Sequence, residues 1–78
     1  MNKIRRKKLA KIKEKITDLK YELEEIKEEE QDCFDNLPYS LQASSKGEEM
    51  DENIYYLDNT MEILENALDE LDNIDTEE

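Results

Sequence analysis

The chain contains no histidine and no tryptophan, and only one glycine, one proline, one cysteine and one phenylalanine. Each scarcity removes a class of chemistry. Without histidine there is no Ser–His or Cys–His pair to activate a nucleophile, and no Glu-x-x-His element for a di-iron bundle. A single glycine leaves no Gly-rich phosphate loop, and no Ser-centred elbow is present. The lone Cys33 cannot close an internal disulfide, which suits a reducing compartment. Asp51-Glu52-Asn53 lacks the loop glycine and the later ligand spacing of an EF-hand. No run approaches the ~18 apolar residues of a membrane span, and the basic start lacks the apolar stretch of a secretory signal. These absences lead us to expect a cytoplasmic chain that is not an enzyme, with no catalytic residues, no metal, no cofactor and no membrane partner.

What is present is charge and periodicity. Of 78 residues, 44% are charged and 36% apolar, and the net charge is −12, a balance close to that of disordered chains. Two long stretches of regular spacing argue for structure instead. Leu9, Ile12, Ile16, Leu19, Leu23 and Ile26 step by three and four residues. So do Met50, Ile54, Leu57, Met61, Leu64, Leu68 and Leu71, and this is the seam of a coiled coil. Abundant Glu, Lys, Leu and Ile favour long helices.

The spacing predicts a first helix over about 3–35, stopped by Pro38, which disfavours helix at Leu37. A connection over 36–44 follows, in which Pro38 can start a single helical turn. Ser45 and Glu48 have capping-box spacing, which predicts a second helix over about 46–74 and a frayed acidic tail over 75–78. The expected fold is all-α: one domain, an antiparallel two-helix coiled-coil hairpin.

A register follows from facing heptad position a of one helix against d of the other. It pairs Leu9 with Leu71 and, at the far end, Ile26 with Ile54. The flanking e positions then set Arg6 opposite Asp72, Lys13 opposite Glu65, Lys20 opposite Asp58 and Lys27 opposite Asp51. A slip by one heptad keeps every sign opposite but leaves more of the seam unpaired at one end. The first register is therefore the expected one.

A lone hairpin buries one stripe per helix, and small cores rarely gain more than ~3–5 kcal/mol. The second helix carries a further stripe, Tyr56, Thr60, Ile63, Ala67 and Ile74, with no counterpart on the first. Tyr56, Ile63, Ala67 and Ile74 are the candidate apolar interface. They serve either a homodimer forming a four-helix bundle or another protein. The segment Leu37-Pro38-Tyr39-Ser40-Leu41 is apolar for a loop. It is expected to fold over Phe34 and Met50 and close the bundle end, with a recognition tip as the alternative.

Charge is segregated along the chain, +7 over residues 1–20 and −19 over residues 21–78. Eight carboxylates fall between Glu22 and Asp35, about one per 2.6 Å of helix axis, where duplex DNA carries one charge per ~1.7 Å. Glu24, Glu25, Glu28, Glu29, Asp32, Glu62 and Asp69 are the candidate acidic binding face. Such a face either mimics DNA towards a basic protein surface or serves solubility alone. Arg5, Arg6, Lys7, Lys8 and Lys11 are a candidate basic patch for nucleic acid. No aromatic residue interleaves with these bases, so stacking on single strands is not expected.

The stretch Glu30-Gln31-Asp32-Cys33-Phe34-Asp35-Asn36-Leu37-Pro38-Tyr39-Ser40-Leu41-Gln42 resembles the middle of a widespread group of small acidic proteins of Firmicutes, their phages and integrative elements. So does the later run through Lys46-Gly47-Glu48 and Met50, with the Leu-Glu-Asn-Ala and Leu-Asp-Glu-Leu elements that follow. The similarity covers about residues 28–74. It implies a helical hairpin in a phage or mobile-element setting, where small acidic proteins often inhibit host enzymes or defence complexes. No functional residues carry over. The expected function is a non-enzymatic protein-binding module, an inhibitor of a nucleic-acid-handling host enzyme or defence complex acting through the DNA-mimic-like face. The alternatives are a structural or adaptor coiled coil without inhibitory activity, and a nucleic-acid binder through the basic first half-helix.

Overall fold

The computed structural model describes residues 1–74, and the acidic tail expected over 75–78 lies outside the described residues. Three helices follow in order: α1 over Lys3–Asp35, α2 over Tyr39–Gln42 and α3 over Ser45–Asp72. The chain is all-helical and elongated, with extents of 60 × 15 × 12 Å. Its radius of gyration is 17.9 Å, where a compact chain of this length would have about 11.5 Å.

Local chemistry sets the helix ends. The Asn2 side-chain oxygen accepts the Arg5 N–H at 2.8 Å and starts α1. Asn36 closes α1, its N–H reaching the Asp32 and Phe34 carbonyls before Pro38 forbids continuation. The Pro38 carbonyl accepts the Leu41 and Gln42 N–H groups at 2.8 and 3.1 Å, which makes α2 a single turn. Two expected boundaries are corrected. The cap of α3 is Ser44 rather than Ser45; the Ser44 hydroxyl turns back to donate to the Leu41 carbonyl and caps no N–H of α3. The other end of α3 stops at Asp72, capped by Asn73, two residues short of Ile74.

Ion pairs run between α1 and α3, among them Lys13–Asp72 at 2.9 Å, Lys20–Glu65 at 3.7 Å and Lys27–Asp58 at 2.5 Å. Each step of seven forward on α1 is a step of seven backward on α3, so the two helices lie side by side in opposite directions. These partners also correct the register, which is the one slipped by a heptad. Lys13 meets Asp72 instead of Glu65, Lys20 meets Glu65 instead of Asp58, and Lys27 meets Asp58 instead of Asp51.

Burial explains the choice. The expected register places Met50 opposite Glu30. The slip carries Gly47 and Met50 past the end of α1, where α2 packs on α3. Met50 and Ile54 become the two buried apolar side chains, 5% and 9% exposed. Covering a side chain of that size contributes about 1.5–3 kcal/mol, whereas an exposed ion pair contributes ~0.2–1 kcal/mol. Apolar cover at one end therefore outweighs a longer seam.

Gly47 is what lets α2 sit this close. A Cβ there would fall on the Gln42 carbonyl, well inside van der Waals contact. Glycine inside a helix costs ~1 kcal/mol relative to alanine, and here close approach offsets that cost. The Gln42 side-chain amide then donates to the Phe34 and Leu37 carbonyls at 3.3 and 3.2 Å, tying α2 to the chain where it leaves α1.

Candidate protein-binding surfaces

The lysine row decides which way α1 faces. Lys13, Lys20 and Lys27 are half-buried and lie over α3, their stems covering apolar surface while the ammonium groups reach carboxylates. Leu9, Ile16, Leu23 and Glu30, at position a, are half-buried beside them. Position d is turned away: Ile12, Leu19 and Ile26 are 44%, 51% and 51% exposed, and Cys33 is exposed as well. This corrects two expectations, that these residues fill the seam and that α1 has no second apolar stripe. The contact face of α1 runs along a and e, and its d row is an unpartnered apolar line.

On α3 the seam does run along a and d, with Leu57, Met61, Leu64, Leu68 and Leu71 half-buried. Tyr56, Ile63 and Ile74 of the candidate interface are exposed, whereas Ala67 is half-buried and contributes only in part. Thr60 turns its hydroxyl inward to donate to the Tyr56 carbonyl at 2.7 Å, presenting its methyl to the surroundings.

Helix geometry places the two exposed lines on one side of the molecule. Around a helix, e lies about 40° to one side of a, while d, g and c lie at increasing angles on the other. In an antiparallel pair the e rows coincide, so the opposite flanks coincide too. The d row of α1 and the stripe of α3 therefore share the side away from the lysine ion pairs. Ile12 and Ile74 line one apolar depression together with Leu9 and Met1.

The candidate acidic residues are all exposed, but they do not form one face. Glu24 and Glu28 of α1 lie on the lysine side with Glu62 and Asp69 of α3. Glu25, Glu29 and Asp32 lie on the flank that borders the apolar side. The lysine ion pairs engage none of these seven; they take Asp58, Glu65 and Asp72.

At the start of α1, Arg5, Lys7, Lys8 and Lys11 are exposed and Arg6 is half-buried. Lys3, Arg6, Lys7 and Ala10 border a shallow depression there. At the opposite end, Leu37 and Phe34 tuck in, but Tyr39 is 88% exposed and Leu41 is exposed too. The expectation that Tyr39 and Leu41 fold over Met50 is corrected, since Gly47 and Gln42 close this end instead. Tyr55 and Tyr56 meet edge to face, ring centres 5.4 Å apart, with both rings exposed.

Among the described residues no three Cys, Asp or Glu side chains converge into a metal site, and no helix is long and apolar enough to cross a membrane. The outward d row and the role of Gln42 escaped sequence reasoning. The one signal available for the closed end was a glycine inside an otherwise strong helical pattern, which needs a contact to justify it. No family model, curated protein or solved structure matches the chain.

Proposed function

We propose that this chain is a non-enzymatic protein-binding module: an antiparallel helical hairpin that pairs into a four-helix bundle and offers its carboxylates to a basic protein surface that otherwise holds nucleic acid. The observation that carries this reading is the acidic stretch of α1 from Glu22 to Asp35. Its Glu24, Glu25, Glu28, Glu29 and Asp32 are exposed and outside the lysine ion pairs, on two flanks of one helix whose axial charge density is about two-thirds that of a duplex. A helix holds these charges at fixed positions, so a basic groove meets them without ordering a flexible chain first. A phage or mobile-element setting suits an inhibitor of a host nucleic-acid enzyme or defence complex.

The test is displacement. Against a panel of purified DNA-handling enzymes of the source cell, the protein should release a labelled duplex, and raised salt should weaken the effect. Changing Glu24, Glu28 and Glu62 to Gln together with Asp69 to Asn, four exposed carboxylates that share the lysine side, should abolish release. Undiminished release by that variant would sink the acidic-face reading.

A second reading, an adaptor or structural coiled coil without inhibitory activity, is favoured by the exposed Ile12, Leu19, Ile26, Tyr56 and Ile63. Under it, partner binding follows Tyr56 and Ile63 and is indifferent to these four carboxylates.

A further inference from the structure

We infer that the partner of the apolar side is a second copy of this chain, set so that the two α1 helices cross antiparallel with Leu19 on the twofold axis. The inference rests on the bundle reading above and adds its geometry.

The apolar line is centred. Leu19 is the middle residue of α1, and Ile12 and Ile26 stand seven residues to either side, all three exposed. Reversing a second α1 about Leu19 lays Ile12 against Ile26 of the other copy, twice over, as an isologous contact requires. Leu19 meets itself.

The rim of the line identifies the occupant. The g positions bordering the d row read Lys8, Lys15, Glu22 and Glu29. The sign changes across Leu19. An antiparallel copy therefore sets Lys15 opposite Glu22 and Lys8 opposite Glu29, with each pair formed twice. In the next row outward Lys11 faces Glu25, while Asp18 meets Asp18 of the other copy. A parallel copy would oppose Lys8 to Lys8 and Glu22 to Glu22. A uniformly basic or acidic foreign partner would meet half of this rim at the wrong sign. A self-complementary rim selects for self.

The same arrangement accounts for the segregated charge. Among the described residues, Lys13, Lys20 and Lys27 pair with carboxylates of α3 from the first half of α1 towards the tip. In the pair, the basic start of α1 lies over the acidic second half of the other α1, so Lys8 and Lys11 gain counter-charges in trans. The area is of the right order. The chain exposes 6180 Å², about 1,200 Å² more than a compact monomer of 9.3 kDa, and a standard interface takes about 800 Å² from each partner.

Two measurements test the geometry separately from dimerisation. Sedimentation equilibrium at tens of micromolar should give a dimer. Lys15→Glu should weaken it about tenfold by turning two attractive pairs repulsive, and Lys15→Glu combined with Glu22→Lys should restore it. Residues 15 and 22 lie about 10 Å apart along their own helix, so restoration reports contact between chains. In a Cys33→Ser background, Leu19→Cys should be joined into a covalent dimer by a short bis-maleimide, since packed helices lie about 8–10 Å apart. Tyr56→Cys in the same background should not be. A monomer overturns both the bundle and the axis. A dimer that the double charge swap leaves weak, or that Leu19→Cys fails to cross-link, overturns the axis alone.

Discussion

The tip of this rod and its opposite end are built from the same kinds of residue but hold together differently. Around Gly47, two side chains are buried, a glutamine caps two carbonyls, and a one-turn helix closes over the start of α3. Around Ile12, the neighbouring Leu9 and Leu71 are half-buried, and Ile12 and Ile74 stay exposed. Two helices side by side can cover only one stripe of each other. A third element is needed to bury anything completely, and among the described residues only the tip has one. Stability is therefore concentrated at the tip, and the other end is left with exposed apolar surface.

Substitutions at the two ends should separate most clearly in the core. Met50→Ala or Ile54→Ala should cost about 2–5 kcal/mol, comparable with the whole stability of a domain this small, and should abolish a cooperative thermal transition followed by circular dichroism. Ile12→Ala, already 44% exposed, should cost well under half as much in the isolated chain. Equal losses at both sites would erase the contrast. Gly47→Ala comes next. Its added methyl must push α2 off α3, an overpacking cost of about 1–3 kcal/mol, despite the better helix propensity of alanine. A stabilised Gly47→Ala variant would mean that α2 is not held against α3. The smallest effect belongs to the lysine row, which both ends share. Lys20→Ala should cost ~0.2–1 kcal/mol, and added salt should remove much of the difference from the parent chain. A larger, salt-independent loss would show that the lysine stems, rather than their charges, hold α1 to α3.

The all-helical character was legible, because heptads over Leu9–Ile26 and Met50–Leu71 have no other comfortable period. The break at Pro38 was legible from the missing N–H and the restriction on Leu37. Register was not. The e positions repeat every seven residues with constant sign, so the pattern looks the same after a slip of seven. What distinguished the two registers was the cover that Met50 receives from a connection whose path no local rule supplies. The same gap hid the candidate surfaces. Ile12, Leu19 and Ile26 read as seam residues in one dimension. Whether d or e faces the neighbour depends on how far α1 rotates about its axis, and the lysine stems and their carboxylates decide that rotation.

By itself the sequence determined that this protein is helical, where its long helices break, and that its charge divides into a basic start and an acidic remainder. These follow from backbone propensity, proline geometry and composition, which act within a few residues. Only the tertiary structure decided which heptad meets which, that Gly47 and Gln42 seal the tip, and that an apolar line centred on Leu19 stays uncovered. Those outcomes depend on contacts between segments far apart in the chain, where burying one methionine outweighs a repeating pattern of weak ion pairs.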